Sequence, residues 1–136
     1  MMTKKQPMEL DERIDAVESA YEFMLAYAAQ GRQTDQGGGA ASDLRDYLRK
    51  MEAALEGLGQ AIAERLGESG GAPVEPFRPF LDAASQDAAR ALAIIRLVLA
   101  KPAISSQLID NVNASIHLRA LLTDLFIVDE SLKQKA

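Results

Sequence analysis

The chain has 136 residues, 48% apolar and 26% charged, and its 15 basic and 20 acidic side chains give a net charge of -5. This length suits one domain with one core, since a fold of this size buries roughly two thirds of its unfolded-chain surface. The absence of cysteine excludes disulfides, iron–sulfur clusters and thiolate zinc sites, and the acidic balance disfavours generic nucleic-acid binding.

Neither a secretion signal nor a membrane span is predicted. The lysines near the start are followed by Pro7 and a charged segment rather than by an apolar region. The apolar runs on either side of Arg96 are much shorter than the ~20 residues that a span needs. We therefore expect a cytoplasmic protein with a flexible tail over residues 1–8 and a single helical domain over residues 9–136.

The apolar residues recur at alternating spacings of three and four between breaks rich in glycine and proline, which is typical of amphipathic helices. This pattern predicts an all-α fold, an antiparallel up-down bundle of about four helices. Gly31 is the predicted stop of the first helix and Ser42 the predicted N-cap of the second. The four predicted helices cover residues 9–30, 42–66, about 76–100 and about 102–133.

The apolar face of the fourth predicted helix changes direction near Asn113. At about 100° per residue, its apolar positions up to Ile116 cover roughly 0° to 140°, and those from Leu118 onward cover roughly 240° to 360°. Either the helix breaks here, or one long helix is covered first on one side and then on the other. We predict one helix with a kink, or with a short helix before it, and place the kink or break near Asn111–Ser115.

Two segments, residues 91–100 and 120–128, are apolar on nearly every side. Three interpretations follow: these helices lie deepest in the fold, they form a homodimer interface, or they hold a groove for a partner helix or an apolar ligand. A homodimer is the predicted assembly, and another protein is the further candidate partner. The predicted interface residues are Ile94, Leu97, Leu121, Leu125 and Phe126.

Few residues in this sequence are candidates for a catalytic, ligand-binding or metal-binding site. His117 is the single histidine, and Ala114 stands where di-iron bundles have a glutamate three residues before the histidine. Arg96 lies in the most apolar helix, where it must reach solvent or pair with an acid, for which the candidates are Asp110, Asp124 and Asp129. The candidate residues of a polar or ligand site are Arg96, Asn113, His117 and Tyr21. No metal site and no cofactor is predicted.

The sequence contains no paired-acid motif, metal-ligand spacing or activated nucleophile. We therefore expect a non-enzymatic interaction protein, an adaptor, accessory or regulatory factor that acts through apolar helix surfaces. One alternative is a bundle that binds a small ligand in a pocket between helices. The other is a phosphotransfer domain or helical enzyme that depends on His117.

Overall fold

The computed structural model describes residues 8–70 and 75–133, and within these ranges every regular element is helical. The all-α prediction is confirmed, but the described residues form six α-helices rather than about four. Short 3₁₀ turns at Gly39–Asp43 and Glu75–Phe77 precede the second and fourth of them. The helices are α1 (Leu10–Ala28), α2 (Leu44–Leu55), α3 (Leu58–Gly70), α4 (Arg78–Leu99), α5 (Ser106–Ala114) and α6 (Ile116–Lys133).

The second predicted helix is broken into α2 and α3 at a glycine. Glu56 is extended, and Gly57 has φ 77°, in the left-handed region that favours glycine. Arg13 of α1 donates from Nη1 to the carbonyls of Ala54 at 2.9 Å and Glu56 at 2.6 Å. Because α2 ends here, these carbonyls accept no hydrogen bond from a following turn of the same helix. The apolar stripe continues through the break because α2 and α3 face the same core, so the periodicity did not reveal it.

The start of α2 also differs from the prediction. Ser42 is not the N-cap of the helix. It lies in the 3₁₀ turn, where its hydroxyl donates to the Gly39 carbonyl at 2.8 Å. Asp43 occupies the N-cap position and makes no capping hydrogen bond from its side chain.

The fourth predicted helix is broken into α5 and α6 at Ser115, inside the predicted window. Ser115 is extended, with φ -61° and ψ 130°, and its hydroxyl oxygen accepts from the backbone N–H of His117 at 3.2 Å. The single long helix is therefore replaced by two. Their buried faces differ because α5 packs against α1, whereas α6 packs mainly against α4.

Two of the packed helix pairs, α1 with α2 and α2 with α4, run antiparallel. Arg13, at the start of α1, reaches the end of α2, and Arg45, at the start of α2, donates to the carbonyl of Leu99 at the end of α4. Gly59 allows α3 to approach α4 closely, because a Cβ added there would overlap the Ser85 hydroxyl. The largest fully buried side chains are Tyr27, Met24, Leu44, Leu48, Met51, Leu58, Ile62, Ile95, Ile104, Ile109, Leu118 and Leu121.

Residues 1–7 of the predicted tail lie outside the described residues. Met8, the last residue of that predicted tail, is partly buried against the core, and its carbonyl accepts from Arg13 Nε at 2.8 Å. Met8 therefore belongs to the fold. Across the described part of the chain, no helix combines the length and the apolar content that crossing a bilayer requires.

Candidate functional site

An open groove of about 520 Å³ lies between α4 and α6. It combines two arginines, one histidine and one acid with small and apolar side chains. Its lining consists of Asp87 and Arg90 from α4 and of Ile116, His117, Arg119, Ala120 and Thr123 from α6. The groove follows from the packing of α4 against α6, which brings the middle of α4 beside the first half of α6.

Asp87 and Asp124 form a carboxyl pair beside this groove. Asp124 Oδ2 is buried and has no hydrogen-bond partner other than the Asp87 carboxyl among the described residues. Burial, followed by the hydrogen bond to Asp87 and the charge of Asp87, raises the pKa of Asp124 to about 7. Asp87 also forms an ion pair with Arg90, with 3.6 Å between Oδ1 and Nη1. Near neutral pH the two carboxyls therefore share one proton.

His117 presents its imidazole to solvent at the start of α6. Its backbone N–H bonds to Ser115, and within the described structure its ring forms no hydrogen bond or ion pair. Two turns of helix, about 10.5 Å, separate it from Asp124. Within residues 8–70 and 75–133, no three His, Cys, Asp or Glu side chains are placed to hold a metal ion.

The four predicted site residues are not brought together. His117 lines the groove, but Arg96 faces α2, where it pairs with Glu52 at 3.0 Å and Glu56 at 3.3 Å instead of the three aspartates considered above. Asn113 is buried against α1, where its Nδ2 donates to the Met24 carbonyl at 3.1 Å. Tyr21 is partly buried on the core. Among the described residues, these four side chains therefore do not line one pocket.

The predicted interface residues also separate into two groups. Leu121 and Leu125 are fully buried in the core of the chain itself and are not available to a second copy. Leu97 and Phe126 are exposed by 57% and 55%, and Ile94 is partly buried.

Two isoleucines outside the predicted interface set are also exposed. Ile116 is exposed by 74%, more than Leu97 and Phe126, and Ile127 is exposed by 51%, slightly less than those two residues. The two isoleucines share one side of α6 with Ala120 and Thr123, at the spacings i, i+4, i+7 and i+11, and we call these four residues the α6 stripe. The spacing was present in the sequence. This spacing does not stand out in the sequence because the change of apolar face groups Ile116 with the residues before the break.

No spacing in the sequence indicates the pair of Asp87 and Asp124. Asp87 and Asp124 lie on different helices and 37 residues apart, so no local spacing relates them.

Comparison of the chain with protein-family models, with curated proteins and with solved structures gave no match, so the candidate site rests on its own geometry.

Proposed function

We propose that this protein is an interaction protein without catalytic activity of its own, and that it self-associates through the α6 stripe. The observation that carries the proposal is the exposure of Ile116 and Ile127 at the two ends of that stripe. Isolated exposed apolar residues are common on protein surfaces and need no explanation. Here, however, two exposed isoleucines are aligned on one helix face, about 16 Å apart, with small side chains between them.

A second copy of the chain is the partner that fits this face. The stripe has a large residue at each end and small residues at the centre, so it matches itself when two α6 helices pack antiparallel about a twofold axis. In that arrangement Ile116 lies against Ile127 of the partner subunit, and Ala120 lies against Thr123 of the partner subunit. None of the four residues is charged, so two copies with a net charge of -5 each can meet there without opposing like charges.

The residues beside the stripe are also complementary under the same twofold axis. At 1.5 Å rise per residue, Arg119 comes within about 3 Å of the partner's Phe126 along the helix axis, a pairing that suits a cation–π contact. This contact occurs twice in the dimer, so the charge and aromatic pattern supports a second copy rather than an arbitrary apolar partner.

The mass in solution tests the proposal directly. Size-exclusion chromatography with light scattering should give twice the mass of the chain at micromolar concentration. A mass of one chain across the concentrations that can be reached would contradict self-association. Because the natural chain has no cysteine, one introduced cysteine can react only with its copy.

The cysteine also tests the geometry. Thr123→Cys lies near the twofold axis and should be cross-linked to a dimer by a short bis-maleimide. Leu25→Cys, exposed on α1 and outside the stripe, is the matched control and should not be cross-linked under the same treatment. Dimers that form equally from both variants would show random collision instead of the proposed packing.

His117 separates this proposal from the phosphotransfer alternative. His117→Ala removes an exposed imidazole that does not belong to the α6 stripe, so the dimer should be retained. A phosphotransfer domain would instead incorporate phosphate from a small phosphoryl donor such as acetyl phosphate, and His117→Ala would abolish that incorporation. Phosphate that is retained on the wild-type chain and lost from the variant would overturn the non-enzymatic assignment.

A further inference from the structure

The contact between α4 and α6 contains two acids that face each other. Asp87 lies on the side of α4 that packs against α6, and Asp124 lies on the facing side of α6. The buried Oδ2 of Asp124 has no donor from the rest of the described structure. A buried carboxylate oxygen without a donor is costly. A proton shared between the two carboxyls supplies the missing donor.

The charges around the pair are distributed unequally. From α4, Asp87 faces Asp124, and Arg90 pairs with Asp87. From α6, His117 and Arg119 line the neighbouring groove. Among the described residues of α3 and α5, the other helices that contact α6, none contributes a charge that acts on the Asp124 carboxyl. Asp87 therefore has a basic partner, whereas Asp124 has none and is the carboxyl that keeps the proton.

We propose that the Asp87–Asp124 pair is a proton-operated latch between α4 and α6. With one proton shared, the carboxyls hydrogen-bond to each other and hold the two helices together beside the groove. Without it, two negative charges face each other in a partly desolvated contact, and α4 and α6 separate locally. The latch depends on the contact within one chain, so it does not require the protein to self-associate.

The direction of the pH effect follows from the pKa of Asp124, which the fold raises from about 3.8 to about 7. The folded chain binds this proton more tightly than the unfolded chain does. Stability from the pair is therefore greatest in acid and falls as the pH rises from about 4 to about 7. Above about pH 7 the folded pair is ionised too, so the loss is complete and the latch is open.

Two measurements on the wild-type chain test the latch. Carbon-13 NMR of the Asp124 carboxyl should show a titration with a midpoint near neutral pH. Hydrogen exchange, corrected for the intrinsic pH dependence of exchange, should show protection of the α6 amides around Asp124 falling about tenfold between pH 6 and pH 8, in step with the protonated fraction. An Asp124 midpoint below about pH 5, or α6 protection that does not change, would overturn the proposal.

Three substitutions provide the controls. Asp124→Asn keeps a neutral hydrogen-bonding group opposite Asp87, so the protection of α6 should become independent of pH between 6 and 8. Asp87→Asn should lower the pKa of Asp124 and weaken the pH dependence without abolishing it, because the like charge is removed while the burial of Asp124 remains. Asp82→Asn, exposed on α4, should behave as the wild type does. If Asp124→Asn retains the wild-type pH dependence, the latch is wrong; if that variant does not fold, the wild-type carboxyl titration alone decides.

Discussion

Asp35 and Arg45 form an ion pair in which 2.7 Å separates Oδ2 from Nε and the acid is almost fully buried. The Arg45 guanidinium also donates to the carbonyls of Leu99 at 3.1 Å and Lys101 at 2.7 Å. The second oxygen of Asp35 accepts from the backbone N–H of Ile104 at 2.9 Å. One ion pair thus joins the loop after α1, the start of α2 and the connection between α4 and α5.

Replacement of Asp35 by Asn should destabilise the fold by about 2 to 4 kcal/mol at pH 7, because Arg45 loses its carboxylate partner. Burial disfavours the ionised carboxyl, but the hydrogen bonds from Arg45 and Ile104 outweigh burial and lower the pKa of Asp35. The stabilisation is therefore complete above about pH 4 and is lost as the pH falls through the lowered pKa.

Urea unfolding measured from pH 7 down to pH 2 checks this prediction. The free energies of unfolding of the wild type and the Asp35→Asn variant should converge at the acid end. Asp110→Asn, an exposed acid on α5, should stay within about 0.5 kcal/mol of the wild type at pH 7. A gap between wild type and Asp35→Asn that persists unchanged to pH 2 would show that the loss does not come from the charge.

Two tyrosines of α1 should respond differently to loss of the hydroxyl. Tyr27 is fully buried and donates to the Ile104 carbonyl at 2.6 Å, so Tyr27→Phe leaves a buried carbonyl without a donor and should cost about 1 to 1.5 kcal/mol. The Tyr21 hydroxyl makes no hydrogen bond within the described structure, and Tyr21→Phe should change stability by less than about 0.5 kcal/mol. Thermal unfolding of both variants measures the difference, and equal losses would contradict the assigned role of Tyr27.

Arg13 should contribute far more to the free energy of unfolding than an exposed arginine does. It is 8% exposed, and its donors bind carbonyls on both sides of it, Met8 before and the end of α2 across the core. Arg13→Met should therefore destabilise the chain by about 2 to 4 kcal/mol in urea unfolding. Arg49→Met removes an exposed arginine of α2 with one surface ion pair and should cost less than about 0.5 kcal/mol. If the two variants lose similar stability, the capping of α2 by Arg13 contributes little.

The proposed dimer predicts a difference between two exposed apolar residues of similar exposure. Ile127→Lys places a charge against the partner's Ile116 and should lower the mass in light scattering to that of one chain. Leu25→Lys, at 47% exposure on α1, should keep the dimer. Circular dichroism of both variants should remain that of the wild type, since neither side chain is in the core. A dimer that survives Ile127→Lys would exclude the α6 stripe as the interface.

Much of the architecture could be predicted because helices are encoded by local patterns. The ends of α1 and α4 agree with prediction to within a few residues, and the break at Ser115 lies inside the predicted window. The break at Gly57 was not predicted because the apolar stripe continues across it, and the carbonyls at the end of α2 are capped by Arg13, 43 residues before Glu56. A local pattern contains no information about a cap supplied by another helix.

The candidate site was predicted less well, and for a related reason. His117 was identified from its residue type, but grouping it with Arg96, Asn113 and Tyr21 assumed that polar residues in apolar helices converge. In the fold, Arg96 and Asn113 each have partners on other helices, away from the groove. The acid of α4 that lines the groove with His117 is Asp87, and it raises the pKa of Asp124 together with the burial of that residue.

The sequence by itself determined that this chain is helical, where α1 and α4 begin and end to within a few residues, and that residues 91–100 and 120–128 are apolar beyond a single stripe. These properties arise from the spacing of residues a few positions apart. Only the tertiary structure decided that Leu121 and Leu125 face inward while Ile116 and Ile127 face solvent, and that Asp87 meets Asp124. Those outcomes depend on how each helix is rotated and aligned against its neighbours, which is settled by packing of the whole core and not by any single segment.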